Sequence, residues 1–229
     1  MYQHVFFDLD HTLWDFEKNS KDTMWQLFQR FRLSGRGISD FDAFYEVFHQ
    51  HNEKLWSRFR KGFIRREELR WKRMWHTLLD FTIADTKLAN ELSAAYLEIL
   101  PTQRFLIPDA AEVVAYCASK YTLHIITNGF DATQRQKLYN CGLHTYFDQI
   151  ISSEKSNSIK PNKEIFDFAK AVSGANDSPC IMIGDALEID IAGALNAGWD
   201  AIYFNPHQIA HSQKPTHEIH RLNSILEIL

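Results

Sequence analysis

The stretch Val5-Phe6-Phe7-Asp8-Leu9-Asp10-His11-Thr12-Leu13 places two acids directly behind a short apolar run. An apolar run of this length without polar alternation is typical of a strand that is buried on both faces of a parallel sheet. Ligands of open α/β sheets bind at the carboxyl ends of such strands. We therefore expect Asp8 and Asp10 at a functional edge of the sheet, and strand alternation would point both side chains the same way.

Two carboxylates so close together repel each other unless a cation separates them or one of them is protonated. The Asp8-x-Asp10 pair therefore indicates a divalent metal, a proton-transfer role, or both. An ordinary turn is the competing interpretation, because aspartate frequently ends strands and Asp-x-Asp arises by chance. Only the rest of the chain can separate these interpretations.

The composition is that of a soluble globular protein. The chain has 229 residues, of which 45% are hydrophobic and 24% charged, and its net charge is −4. It can bury a sizeable core, and its charge argues against a nucleic-acid polymer or an anionic membrane as a partner. No secretory signal or apolar stretch of transmembrane length is evident, and the three cysteines are widely separated. We expect a cytoplasmic protein, and the sequence leaves monomer and weak dimer both open.

The pattern of apolar residues divides the chain into two parts. From about residue 16 to residue 100 they recur at i, i+3, i+4 and i+7, which predicts four amphipathic helices. Asp40 and Asp85 are expected as N-caps or first-turn acids of two of these helices. The third helix is predicted to use the face Trp71, Met74, Trp75 and Leu78.

After Pro101, apolar strands alternate with helices, which is typical of a parallel α/β sheet. The predicted strands cover residues 122–127, 149–152, 180–184 and 201–204, and the predicted helices cover 109–120, 131–141, 162–173 and 188–197. The first strand belongs to the same sheet by its character. The expected architecture is therefore a Rossmann-like parallel-sheet core, residues 1–15 and 101–229, with a helical-bundle cap inserted at residues 16–100. The histidine-rich segment 207–220 lacks the spacing of metal ligands and predicts a loop before a last edge strand and helix.

Polar residues follow three further predicted strands. Thr127-Asn128-Gly129 offers a hydroxyl and backbone amides to an anion, although Asn-Gly is also a common turn. Lys160 precedes Pro161, which is expected in the first turn of the next helix, and its ammonium can neutralise a phosphate. Asp185 ends the fourth strand as Asp8 ends the first, and Asp190 could accept a hydrogen bond from Lys160 or from a metal-bound water.

If these strand ends meet, they bring together carboxylates, one lysine, one hydroxyl and an amide-rich turn. Oxygen ligands of this kind suit Mg²⁺, which typically takes one or two carboxylates and a phosphate oxygen. Thr127, the amides and Lys160 would hold the phosphate. The predicted chemistry is phosphoryl transfer, in which the protein mainly positions groups and neutralises charge.

The motifs resemble those of the haloacid-dehalogenase-like hydrolase superfamily, and the helical insertion resembles its C1-type cap. Four signature motifs occur in order: Asp8-x-Asp10-x-Thr12, Thr127-Asn128-Gly129, Lys160-Pro161, and Gly184-Asp185 with Asp190. Within the superfamily, the segments Ile125–Phe130, Lys160–Asp167 and Asn52-x-x-Leu55-Trp56 resemble the YjjG-type noncanonical pyrimidine nucleotidases.

The resemblance implies a role for each motif residue. Asp8 would be the nucleophile that forms an aspartyl-phosphate, and Asp10 would protonate the leaving oxygen and then activate water. Mg²⁺ would be bound by the carboxylates of Asp8 and Asp185 and by the backbone carbonyl of Asp10. Thr127, Asn128, Gly129 and Lys160 would bind the phosphoryl group, and Asp190 would orient Lys160 or a metal-bound water.

The implied activity is Mg²⁺-dependent hydrolysis of pyrimidine nucleoside 5′-monophosphates. A sugar-phosphate or phosphoglycolate phosphatase is the main alternative; a haloacid dehalogenase, a phosphoglucomutase or a binding protein without activity fits less well. The dehalogenase reaction usually lacks an acid at the position of Asp10 and needs no Mg²⁺. Candidate contacts to a base and sugar are Trp14, Phe16, Asn52, Trp56 and Arg58. Each has packing or a solvated surface as the alternative, and for Trp56, at helical spacing with Phe59, packing is the favoured explanation.

Overall fold

The computed structural model describes residues 2–176 and 178–229. Its contacts divide the chain into an α/β unit, which runs up to Glu17 and from Arg104 to Leu229, and a helical unit, Lys18–Gln103. The first segment of the α/β unit ends two residues after the expected residue 15, and the helical unit ends three residues after the expected residue 100. Across the described residues, no helix is both long and apolar enough to cross a membrane.

The α/β unit is built on a sheet of six strands in the order β3-β2-β1-β4-β5-β6, and every strand pair is parallel. The strands are β1 His4–Phe7, β2 Thr122–Thr127, β3 Phe147–Ser152, β4 Cys180–Gly184, β5 Asp200–Phe204 and β6 His217–Ile219. The predicted parallel α/β fold is confirmed. Strand order reverses beside β1, since β2 and β3 lie on one side of it and β4 to β6 on the other, and ligands bind at such a switch point.

The register of the central strands brings their carboxyl ends together. Phe7 pairs with Ile125 of β2 and with Ile183 of β4. The backbone N–H of Asp8 continues this ladder by donating to the carbonyl of Ile183 at 2.8 Å. The residue after β1 and the last residues of β2 and β4 therefore lie side by side at one edge.

Aromatic packing on one face of the sheet anchors these strands. Phe6 lies against Trp199 with 4.6 Å between ring centroids, and Phe166 meets the same indole edge-on at 5.4 Å. The three side chains are almost fully buried, and burying each contributes about 1.5–3 kcal/mol. Val5 and Phe7, which alternate with Phe6, are also fully buried, so β1 is covered on both faces and its sequence is a continuous apolar run.

The helices of the α/β unit follow the predicted order. They are α5 Ala110–Ala118, α6 Asp131–Asn140, α7 Ser153–Ser156, α8 Lys163–Val172, α9 Ala192–Asn196 and α10 Ile225–Ile228. Two details of the prediction are wrong. The helix expected at 188–197 begins as a π-helical turn, Leu187–Ile191, and only then becomes α-helical. Pro161 lies outside α8, because the N-cap of that helix is Asn162.

The helical unit contains the four predicted amphipathic helices. They are α1 Phe16–Arg30, α2 Phe41–Arg60, α3 Arg66–Asp80 and α4 Thr86–Ile99. The predicted N-caps are confirmed, since Asp40 accepts from the N–H of Ala43 at 3.1 Å and Asp85 from that of Leu88 at 2.9 Å. The predicted face of α3 is partly wrong. Its buried stripe includes Arg73 and Thr77, whereas Trp71 and Trp75 are half-buried at its edge.

Candidate active site

Asp8 and Lys160 form the centre of the site. Lys160 is 1% exposed, and its Nζ lies 2.5 Å from Asp8 Oδ1, 2.7 Å from Asp190 Oδ1 and 2.7 Å from the carbonyl oxygen of Ile126. The lysine therefore joins the ends of β1 and β2 to the π-helical turn after β4. An ammonium has three N–H donors, and three oxygen atoms surround this one.

Asp185 completes a cluster of three acids with Asp8 and Asp190. One carboxylate oxygen from each lies within 4.8 Å of the other two. Asp185 accepts a hydrogen bond from the Thr12 hydroxyl at 2.9 Å. Asp190 accepts one from the backbone N–H of Ala186 at 3.1 Å, so Thr12 and the π-helical turn hold these carboxylates in place.

Gly184 leaves the space that Asp190 occupies. A Cβ atom at Gly184 would lie 2.4 Å from Asp190 Oδ2 and 2.6 Å from Asp190 Cβ. The glycine that precedes Asp185 is therefore required by the close approach of a carboxylate. This approach depends on the π-helical turn, which the sequence pattern did not predict.

The electrostatics of this cluster favour the binding of a positive charge. Burial raises the pKa of Asp8 well above its usual range; Lys160 opposes the rise, and the charges of Asp190 and Asp185 add to it. Burial also raises the pKa of Asp185 to about 6, again with a contribution from Asp190. Burial lowers the pKa of Lys160, but the carboxylates of Asp190 and Asp8 raise it by more, so that it stays a cation. One lysine thus faces three carboxylates, and this all-oxygen cluster fits a divalent cation.

Thr127 and Asn128 connect the end of β2 to Lys160. The Asn128 side chain donates from Nδ2 to the carbonyl of Lys160 at 3.0 Å and accepts from the N–H of Lys160 at 2.8 Å. The backbone N–H of Gly129 donates to the Thr127 hydroxyl at 3.0 Å. The expected amide donor of Gly129 therefore supports Thr127 within the loop, and Asn128 fixes the backbone of the lysine through its side chain.

Asp10 lies in a different environment from Asp8. Strand β1 ends at Phe7, and Asp10 lies in the turn that follows, where it forms an isolated bridge with Trp14. The carboxylate of Asp10 receives Lys137 Nζ at 2.6 Å on Oδ1 and Gln134 Nε2 at 2.9 Å on Oδ2. The repulsion expected between the two acids is thus relieved by two separate lysines.

Two residues of the site, Gln134 and Lys137, were not predicted from the sequence. Both belong to α6, where they are 1% and 2% exposed. A signal was present, because α6 reads Asp-Ala-Thr-Gln-Arg-Gln-Lys-Leu-Tyr-Asn and has few apolar residues for a helix that covers a sheet. Such a helix has to bury polar side chains, and buried polar groups need partners.

The candidate specificity residues are divided between the two units. Trp14 is 0% exposed and lies under Lys137, with 4.2 Å from Nζ to the ring centroid. Within the helical unit, Asn52 is buried and accepts from Arg73 Nη1 at 3.1 Å, and Trp56 packs edge-on against Phe59. Packing therefore accounts for Trp14 and Asn52, and Arg58 is exposed.

A cavity of about 750 Å³ lies beside Asp185 in the α/β unit. Its walls come from the turn after β1, the segment after Leu106, the end of β5 and the residues that follow β5. They include His11, Tyr203, Asn205 and Arg221. This volume is within the range of pockets that hold small organic ligands.

A family model described as haloacid dehalogenase-like hydrolase matches residues 2–198. The chain belongs to this hydrolase family. The superfamily resemblance drawn from the four motifs is confirmed. Among its relatives, the pyrimidine 5′-nucleotidase PynA of Streptococcus pneumoniae is 31% identical over 232 residues, which cover 100% of this chain and 95% of PynA. The pyrimidine 5′-nucleotidase YjjG of Escherichia coli is 32% identical over 212 residues, which cover 92% of this chain and 88% of YjjG.

A solved structure from the same family has the same fold. The magnesium-bound crystal structure of the hydrolase YfnB from Bacillus subtilis matches with a TM-score of 0.88 at 27% identity. The match covers 99% of this chain and 98% of that one. The chain is thus a hydrolase with the fold of this family.

Proposed function

We propose that this hydrolase removes phosphate from pyrimidine nucleoside 5′-monophosphates through an aspartyl-phosphate on Asp8. The observation that carries the proposal is the pairing of Asp8 and Asp10 with different partners. Asp8 lies among Lys160 and two further carboxylates, whereas Asp10 is held by Lys137 and Gln134. One acid can therefore attack phosphorus while the other moves a proton.

In the first step, a carboxylate oxygen of Asp8 forms a bond to phosphorus and the bond from phosphorus to the ester oxygen breaks. Asp10 gives its proton to the departing oxygen, so the nucleoside leaves as a neutral alcohol. In the second step, Asp10 takes a proton from a water molecule as the water oxygen attacks phosphorus. The bond from Asp8 to phosphorus breaks, and inorganic phosphate and the free carboxylate result.

Two residues would bind the phosphoryl group during both steps, and a third would position one of them. The Thr127 hydroxyl accepts from Gly129 and Gln134, so its own hydrogen is available to donate to a phosphoryl oxygen. Lys160 supplies the positive charge, and Asn128 holds the backbone of that lysine in place. Donors fixed in advance stabilise the transition state without reorganisation.

Asp8, Asp185 and the backbone carbonyl of Asp10 would hold Mg²⁺. When bound, the ion supplies positive charge that stabilises the phosphoryl oxygens and the carboxylates around them. The raised pKa values of Asp8 and Asp185 support this assignment, since burial and mutual repulsion leave both carboxylates short of positive charge. Asp190 would keep Lys160 in position.

The proposed substrate class is based on the similarity of this chain to two nucleotidases. PynA and YjjG are pyrimidine 5′-nucleotidases that align with nearly all of this chain. The cavity beside Asp185 gives the α/β unit room for an organic group. The three free thiols, Cys117, Cys141 and Cys180, fit the reducing cytoplasm in which we place the enzyme.

A phosphate-release screen tests the proposal. The purified protein is incubated with Mg²⁺ and with uridine and thymidine 5′-monophosphates, purine nucleotides, hexose phosphates or phosphoglycolate. We expect the pyrimidine nucleotides to have the highest kcat/KM and activity to disappear in excess chelator. Asp8→Asn and Asp10→Asn should each lower kcat by at least about 100-fold without unfolding the protein. Turnover of a sugar phosphate with inert pyrimidine nucleotides would contradict the substrate assignment, and wild-type rates in either variant would contradict the mechanism.

A further inference from the structure

Both oxygens of the Asp10 carboxylate are held from one face of α6. Lys137 Nζ lies 2.6 Å from Oδ1, and Gln134 Nε2 donates to Oδ2 at 2.9 Å. The two α6 residues are three positions apart, so their side chains emerge on the same side of the helix. A carboxylate bound at both oxygens cannot rotate about its last side-chain bond without losing a contact.

Lys137 is more deeply buried than an ordinary structural lysine. Its side chain is 3% exposed, and its Nζ lies 4.2 Å from the ring centroid of Trp14 and 5.7 Å from that of Phe16. A buried ammonium needs a partner to offset its lost hydration. Asp10 supplies the carboxylate and the two aromatic faces supply cation–π contacts, so three groups hold the ammonium in place.

Gln134 connects Asp10 to the phosphate-binding hydroxyl. Its Nε2 donates to Asp10 Oδ2 at 2.9 Å and to Thr127 Oγ1 at 2.7 Å. The amide nitrogen of Gln134 faces Asp10, and its two hydrogens are used by Asp10 and Thr127. Thr127 also accepts from the N–H of Gly129 at 3.0 Å, so its hydroxyl can only donate to a third group.

Gly129 provides the space for this connection. A Cβ atom at Gly129 would lie 2.4 Å from Gln134 Nε2 and 2.8 Å from Gln134 Cγ. The glycine of the Thr127-Asn128-Gly129 motif therefore allows the amide of Gln134 to reach Asp10 and Thr127 together.

We propose that Gln134 and Lys137 are positioning residues that orient the carboxyl group of Asp10 for proton transfer to the departing oxygen. Gln134 in addition keeps the Thr127 hydroxyl directed at the phosphoryl group. This inference rests on the proposed phosphatase function. An error of about 1 Å in the position of a reacting group lowers the rate by about 100-fold. Loss of the contacts from α6 is therefore expected to slow the first step.

Substrates with different leaving groups distinguish a role in proton transfer from a purely structural role. p-Nitrophenolate leaves without a proton, whereas the alkoxide of uridine needs one. We expect Lys137→Met to slow the first-turnover release of uridine from uridine 5′-monophosphate by about 10- to 100-fold. The first-turnover release of p-nitrophenolate from p-nitrophenyl phosphate should stay within about threefold of wild type, because that step needs no acid. Rapid mixing with excess enzyme measures both rates.

Gln134→Met should show the same difference between the substrates. It should also raise the half-saturating concentration of both substrates, because the Thr127 hydroxyl loses one of its two donors. Arg135→Met is the matched control, since Arg135 lies on the same helix, is exposed and forms an ion pair with Asp131 of that helix at 2.7 Å. It should leave all of these rates unchanged.

A double-mutant cycle gives an independent readout. In the Asp10→Asn background, Lys137→Met should change uridine release by no more than about twofold, because the group that Lys137 orients is already absent. An equal loss for both substrates, no loss for either, or a fully additive loss in the Asp10→Asn background would overturn the inference. If the wild-type enzyme releases phosphate from neither substrate, it is the proposed function that fails.

Discussion

Asp8 and Asp10 are separated by one residue, yet their carboxylates contact different lysines. Asp8 shares Lys160 with Asp190, and Asp10 pairs with Lys137. Asp10 therefore has a lysine of its own, whereas Asp8 lies in a cluster that holds more negative than positive charge. This difference explains how two neighbouring residues of one type can do different chemistry.

The excess negative charge around Asp8 leads to a prediction for Asp185. Burial and Asp190 raise its pKa to about 6, so at pH 7.5 its charged form disfavours the folded state. Asp185→Asn keeps the acceptor for Thr12 and removes the charge. We expect this variant to gain about 1–3 kcal/mol of unfolding free energy in chelator and to lose both activity and the rise in Tm that Mg²⁺ gives the wild type.

Thermal unfolding in chelator and in millimolar Mg²⁺ measures both effects on Asp185→Asn. Asp167→Asn is the control, because Asp167 is exposed and pairs with Lys163 within one helix, where an ion pair contributes little. A loss of stability in chelator, or a Mg²⁺ effect as large as in wild type, would contradict the assignment of Asp185.

A second prediction at this scale concerns Asn128. Its side chain makes two hydrogen bonds with the backbone of Lys160. Asn128→Ala removes both, so the position of the ammonium becomes less defined. We expect kcat to fall by about 10-fold or more and the unfolding free energy to fall by about 1–3 kcal/mol. Steady-state kinetics and urea denaturation measure these changes, and a variant with unaltered kcat would show that Lys160 is positioned without Asn128.

Strand β2 carries a buried histidine in the middle of its apolar run. His124 is 0% exposed, stacks on Phe6 with 4.7 Å between ring centroids, and has Nε2 3.0 Å from His4 Nδ1. Burial, with a smaller contribution from His4, lowers its pKa to about 4, while Asp148 at 3.8 Å acts in the opposite direction. The folded state therefore favours the neutral imidazole.

The sign of the resulting pH effect follows from linkage. The unfolded chain binds a proton at His124 near pH 6.5, whereas the folded chain does so only near pH 4, so stability falls as the pH drops through this window. Between pH 7 and pH 5, His124 should remove about 2 kcal/mol of unfolding free energy. The protonation of Asp185 has the opposite effect on stability. The test therefore compares the unfolding free energies of wild type and His124→Leu, measured by urea denaturation at pH 7 and at pH 5. A difference that does not change with pH would exclude this role for His124.

Some secondary-structure elements of the site could be predicted from the sequence, and others could not. Strands β1 and β4 and the acids behind them were recognisable because apolar runs and charged ends are local signals. The π-helical turn was not, because it depends on the contact between Asp190 and Gly184, which no local periodicity records. The roles of Gln134 and Lys137 were hidden for a similar reason, since their partner Asp10 lies more than 120 positions away in the chain.

At the scale of the whole molecule, the helical unit is inserted between two chain segments that run side by side. The N–H of Asp15 donates to the carbonyl of Phe105 at 3.1 Å, and that of Ile107 donates to Leu13 at 2.9 Å. Trp14 and Leu106 form an antiparallel bridge between these bonds. The two ends of the insertion are therefore paired within the α/β unit, as the ends of a hairpin are.

This pairing predicts that the α/β unit folds without the insertion. Replacing residues 18–103 by a glycine-serine turn of about four residues closes a hairpin whose strands are already hydrogen bonded. All the proposed catalytic and metal-binding residues are retained, so we expect a Mg²⁺-dependent rise in Tm and measurable hydrolysis of p-nitrophenyl phosphate. If the helical unit selects the substrate, the kcat/KM values for uridine 5′-monophosphate and for hexose phosphates should then differ by less than about 10-fold. If the full preference for the nucleotide survives, selection belongs to the α/β unit, where the cavity beside Asp185 is the place to look for it.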